Sequence, residues 1–186
     1  VGAVSVAASG MPHTLDATVD LTAFAAGDKA DGDSEVVNDY FTVFYSAKTK
    51  VDGSNKTFDD GYTASQRLNF GGKSSIGEII QNAVGFTTSG AATVKIWWVS
   101  GGDGRTMSIC TGDGTVLASD GAESVKNSLY ISELSVEAAG TYYLAVPEGS
   151  NYLFKLEVTE EAAPAEPVVT EHVLDAPTDL IAFAAG

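Results

Sequence analysis

The chain has 186 residues, enough for one well-buried core, and 44% of them are hydrophobic, so its body should fold. Ten Lys and Arg stand against 25 Asp and Glu, a formal net charge of -15. A surface this acidic repels the phosphates of DNA and RNA and the headgroups of anionic membranes, which excludes nucleic acid as a partner; membrane insertion is excluded as well, because no stretch approaches the ~20 apolar residues of a spanning helix.

In chain order, residues 1–14 are small and weakly apolar, without a basic leader region, and are read as an N-terminal linker or the remnant of a signal. At Leu15 an internal repeat begins. The thirteen residues Leu15–Gly27 recur as Leu174–Gly186, identical at ten positions with a constant offset of 159, and the preceding His13 recurs as His172. Agreement of this kind marks the start of a repeated unit. Residues 15–159 are therefore taken as one module, and 174–186 as the first element of a second, truncated one. Between them, residues 160–173 carry the acidic, Ala/Pro-rich run Glu160–Pro167, whose prolines cannot join a ladder and whose charges need solvent: a semi-stiff linker. Adjacent modules of the same chain are expected neighbours. The terminal segment can also pack on its own or a neighbouring module.

Asp28, Asp31, Asp33, Glu35 and Asp39 cluster just after the first repeat. Hard cations take such oxygen ligands, and the glycine among them lets carbonyls turn inward, so a structural calcium ion is one reading and a solvated loop the other. The spacing is not that of an EF-hand, and no cofactor is required.

The body reads as strands throughout. Tyr40–Tyr45 is aromatic and β-branched; Ala92–Val99 alternates, with Val94, Ile96 and Trp98 on one face and Lys95 and Trp97 on the other. Glycine-rich turns separate this run from Thr106–Thr111, Thr115–Ala118, Thr141–Val146 and Tyr152–Val158, in the last of which Tyr152, Phe154, Leu156 and Val158 are expected to share a face. A helix is expected only over 75–83, and Gly77 weakens it. Short strands joined by Gly, Asp and Asn turns give an all-β class, an antiparallel β-sandwich.

No catalytic set emerges. The lone Cys110 lies in an apolar run and reads as a small core residue, both histidines fall in flanking segments, and no zinc, phosphate-loop or dinucleotide motif is present. The module is expected to be non-catalytic. Binding is better supplied. Trp97 points away from the core phase beside Lys95, and Tyr143 lies opposite in phase to Tyr142 and Leu144; each is either a stacking platform for a sugar or a residue covered by a loop. Arg67 and Arg105 offer planar forks for a carboxylate or vicinal hydroxyls, or else pair with local acids.

The succession Arg67–Gly72, Val84–Ile96, Arg105 and Ala139–Leu144 resembles the accessory β-sandwich modules of bacterial pectate lyases and related plant cell-wall enzymes of gut and rumen Firmicutes. That resemblance implies a jelly-roll-like sandwich in a secreted or cell-surface bacterial protein, with an extracellular polysaccharide of the pectin class as partner. Arg67, Lys73 and Arg105 match basic positions of the pattern. The charge points elsewhere within the class, because a module at -15 repels polygalacturonate; a neutral glycan or a highly esterified pectin suits it better. A purely structural spacer of a surface or cellulosomal protein is the alternative.

Overall fold

A computed structural model describes residues 10–161. Residues 1–9, the linker from 162 onward and the second copy with His172 lie outside the described residues.

Two antiparallel sheets face each other. The first carries β10 (Leu129–Val136), β7 (Ala92–Val99), β12 (Tyr152–Glu160), β5 (Thr63–Asn69) and β4 (Lys50–Thr57) in that order, with β1 (His13–Asp16) added to β12. The second runs β2 (Ser34–Val37), β3 (Phe41–Phe44), β6 (Ala83–Thr88), β11 (Gly140–Ala145), β8 (Met107–Cys110), β9 (Val116–Asp120). The sandwich expectation holds, and its cause is local. Inward-facing apolar residues recur with a period of two along most strands, so each sheet has one face it must remove from water.

Between the sheets lie Leu15, Phe41, Val43, Leu68, Val84, Phe86, Val94, Ile96, Trp98, Ile109, Leu144, Leu153, Leu156 and Val158. Each such side chain contributes about 1.5–3 kcal/mol by leaving water. The buried polar groups are paired. Trp98 Nε1 donates to Ser132 Oγ at 2.8 Å, and that hydroxyl donates to Asp120 at 2.6 Å. No buried side-chain nitrogen or oxygen among the described residues lacks a partner.

Three expectations are corrected. The β12 face is not Tyr152, Phe154, Leu156 and Val158: a bulge between Leu153 and Lys155 shifts the phase, so Leu153, Leu156 and Val158 point inward while Tyr152 and Phe154 turn out. No helix forms over 75–83. Gly77 has a φ of 149°, and Ser75 and Gln81 bridge each other, closing the segment into a looped strap at the end of the second sheet. His13 is part of the sandwich, not of a linker; it pairs with Val158, and its ring stacks on Tyr40 at 3.7 Å. A single helical turn, α1 (Ala17–Asp20), follows β1, capped by Asp16, whose side chain accepts from Thr18 N at 2.8 Å.

Candidate functional site

The two outer faces of the sandwich differ in chemistry. On the first sheet, alternation turns Lys95, Trp97, Val99, Tyr152, Phe154, Lys155 and Arg67 outward, opposite in phase to the core. The β4–β5 hairpin then folds its tip over them. Phe58 and Tyr62 from the tip join Trp97, Val99, Phe154 and Ala64 in a second, smaller apolar cluster. Asp60 accepts from Trp97 Nε1 at 2.9 Å, and Trp97 is left 2% exposed. Its ring faces are used by cations of the same sheet: Lys155 Nζ lies 4.3 Å and Lys95 Nζ 4.7 Å from the ring centroid.

Trp97 is therefore covered by a loop, and no sugar can stack on it. Arg67 is likewise committed. Its guanidinium lies 4.1 Å from the Tyr152 centroid, and its Nε donates to Asp52 Oδ1 at 2.7 Å. Burial alone would raise the Asp52 carboxyl. Hydrogen bonds from Arg67 and Lys50, reinforced by their charges, outweigh it and hold that carboxyl below the usual aspartate range. Arg105 is wedged into the loops at one end of the sandwich, donating from Nη1 to Ser150 O at 2.5 Å. A Cβ on Gly102 would come within 2.5 Å of its Nε, which explains the glycine there. Lys73 is exposed on a loop whose carbonyl accepts from Asn82 Nδ2.

Small and hydroxyl-bearing residues dominate the open part of the second sheet. One cross-strand row runs Val36, Thr42, Gly85, Tyr143, Cys110, Val116, each paired with the next. Phe44 stands in the neighbouring row, its ring centroid 5.9 Å from that of Tyr143. The two rings converge over Gly85, where an added Cβ would meet Phe44 Cε2 at 3.1 Å and Tyr143 Cε1 at 3.3 Å. Beyond them the Thr87 and Thr141 hydroxyls are 3.0 Å apart. The outward residues of β3, β6, β11 and β8 (Thr42, Phe44, Ala83, Gly85, Thr87, Thr141, Tyr143, Ala145, Ser108 and Cys110) include no charge. Phe44 and Tyr143 are both partly exposed. At the strap end, Glu78 and Ile79 line a cleft with Phe44 and Asp31. Cys110 is 3% exposed beside Ile76 of the strap, and burial raises its thiol pKa, which keeps it protonated and unreactive.

This is a strip with two aromatic faces, a backbone floor and hydroxyls on either side. Such a surface can stack the C–H face of a sugar ring and hydrogen-bond its hydroxyls without ionic help. Tyr143 was legible from its phase. Phe44 was not singled out, because inside Tyr40–Tyr45 it looks like any other strand aromatic; its pairing with Tyr143 needs β6 between them.

The acidic cluster does not converge. Asp28 accepts from Ala25 N, Asp33 from Ala30 N, and Asp31 from Ala47 N, at 2.7–2.9 Å. Glu35 meets Lys29 and the Tyr45 hydroxyl, and Asp39 occupies a left-handed turn position. Among the described residues no group of three or more His, Cys, Asp and Glu is placed to hold a metal ion.

No protein-family model matches the chain, and no curated protein matches it, so membership of the pectate-lyase accessory family is not shown. Among solved structures the chain is similar to one described by the words "The complexity of the Ruminococcus flavefaciens cellulosome reflects an expansion in glycan recognition". The identity is 14%, covering 83% of this chain and 98% of that chain, with a TM-score of 0.45. A likeness of that degree assigns neither ligand nor site.

Proposed function

We propose that this chain is a non-catalytic carbohydrate-binding module of an exported bacterial protein, holding a neutral polysaccharide or a highly esterified pectin of the plant cell wall for an attached enzyme. One observation carries the reading: Phe44 and Tyr143 converge over Gly85 among outward strand residues that carry no charge, the nearest carboxylates lying at the cleft beyond Phe44, in a protein whose net charge is -15. Keeping ionic groups off one strip of so acidic a surface favours a neutral, hydroxyl-rich ligand, and a tethered module raises the effective concentration of such a substrate around its enzyme. Calorimetry or affinity electrophoresis against xylans, glucans and pectins of graded esterification tests it. Retention on a neutral glycan is expected, lost in Tyr143→Ala and Phe44→Ala and kept in Arg67→Ala. Retention on none of these polymers overturns the proposal.

A second reading, a structural repeat that spaces other domains, is favoured by the internal use of Arg67, Trp97 and Arg105. It predicts no retention on any polymer and no effect of Tyr143→Ala.

A further inference from the structure

The repeated segment has a defined seat on the module. Its first copy pairs with β12 in antiparallel register, Leu15 opposite Leu156 and Asp16 opposite Lys155. Leu15, Ala17 and Leu21 are buried there. Gln66 Nε2 donates to the carbonyls of Ala17 at 2.7 Å and Leu21 at 2.6 Å. Further on, the Phe24 backbone exchanges two hydrogen bonds with Val51, at 3.0 and 3.1 Å, while its ring meets Tyr45 edge-on at 5.3 Å. Thirteen residues thus line one groove along the first sheet and seal its edge.

The second copy repeats every group that this seat uses for burial. Leu174, Ala176, Leu180 and Phe183 stand where Leu15, Ala17, Leu21 and Phe24 stand, and Asp175 and Asp179 match the capping Asp16 and Asp20. The three differences fall at Thr18, Val19 and Thr22, of which Val19 is 78% exposed and Thr22 is exposed. One of them matters. Thr18 N donates to Asp16, and Thr18 Oγ1 accepts from Ser65 N at 3.1 Å and Gln66 N at 3.3 Å. Pro177 can supply none of these bonds, although its fixed φ suits the first turn of a helix.

We propose that this groove is an exchange site, and that residues 174–186 of a second copy of the chain occupy it in place of Leu15–Gly27. Each chain carries two versions of the occupant and, among the described residues, one seat. Twelve residues, 162–173, precede the second version, a length that spans at most roughly 40 Å. The resident copy wins at equilibrium, because the three hydrogen bonds absent at Pro177 correspond to roughly tenfold to a hundredfold in affinity. Exchange therefore appears at high protein concentration, or where a neighbour's own first element has been removed. The inference is independent of sugar binding.

Sedimentation of the full chain over a wide concentration range tests it, with Leu174→Asp and Pro177→Thr compared against the natural sequence. Association is expected to be weak in the natural chain, abolished by Leu174→Asp, and about tenfold or more tighter in Pro177→Thr. Both substitutions lie outside the described residues, and the melting temperature of the module serves as the control. Hydrogen exchange on the associated Pro177→Thr protein locates the contact: protection is expected to rise at 172–175 and fall at 13–16. If the three proteins sediment alike, whether all monomeric or all associated, the proposal is overturned. Association that leaves protection at 13–16 and 172–175 unchanged overturns it equally.

Discussion

Trp97 and Trp98 are adjacent in sequence and opposite in environment, and both are buried. Trp98 packs between the sheets with its indole nitrogen bonded to Ser132. Trp97 faces outward and is buried only because the β4–β5 hairpin closes over it. Truncating it leaves a large void and removes the indole donor to Asp60, so Trp97→Ala is expected to cost about 3–5 kcal/mol in chemical denaturation. Any loss of glycan retention should then follow the unfolded fraction, and retention per folded molecule should stay unchanged. Asp52 gives a pH-dependent counterpart. Its folded pKa lies below the ordinary value of 3.8, so its contribution is present in full above 3.8 and is lost progressively as pH falls from there through the lower folded pKa. Asp52→Asn is expected to be less stable than the natural protein near neutral pH. The gap should narrow steadily in melting curves as pH is lowered below 3.8; a gap that does not change with pH would exclude the ion pair as its cause.

At the scale of elements, connections decide which faces stay open. The hairpin tip closes the outer face of the first sheet, and the 75–81 strap covers one end of the second with Ile76 and Ile79. What remains open is the Phe44–Gly85–Tyr143 strip. The loops at the Arg105 end are fixed by close backbone approach. A Cβ on Gly101 would lie 2.0 Å from Ser150 O, whereas one on Gly90 would meet nothing within 4 Å. Gly101→Ala should therefore lower the melting temperature by the equivalent of about 1–3 kcal/mol, and Gly90→Ala should leave it nearly unchanged. Equal effects would contradict the tight contact at Ser150. Much at this scale was legible. Strands were expected near Phe41–Phe44, Ala92–Val99, Met107–Cys110 and Gly140–Ala145, and they form there, since period-two alternation survives in each. The β12 phase was misread because a bulge adds a residue without leaving a glycine or proline as a marker. The helix expected over 75–83 does not form, since the strap is held by contacts with strands distant in sequence.

For the whole molecule, the net charge of -15 sets long-range behaviour while local pairs set the sites. Four of the ten cations (Lys50, Arg67, Lys95 and Lys155) sit on the outer face of the first sheet, paired with Asp52, Asp60 or Glu157. Three carboxylates sit against these four cations, Asp52 being shared by Lys50 and Arg67, so little uncompensated basic charge is left there for polygalacturonate. Of the acids at 28–39, Asp28, Asp31 and Asp33 accept from nearby backbone N–H groups and Glu35 meets Lys29. Millimolar calcium is accordingly expected to leave the melting temperature unchanged. A rise that chelation reverses would restore the calcium reading of Asp28 to Asp39.

Local pattern was enough to determine the β class, the alternation that puts Trp98 inside and Trp97 outside, and the repeat that defines an N-terminal element. These depend on neighbours two residues apart or on identity along the chain, and both are written in the sequence. The tertiary structure alone decided which outward residues stay accessible. A sheet face is opened or closed by a hairpin or strap arriving from elsewhere, so Trp97 and Tyr143, equivalent by phase, part company: one lies under Asp60 and Tyr62, the other beside Phe44 over a bare glycine backbone.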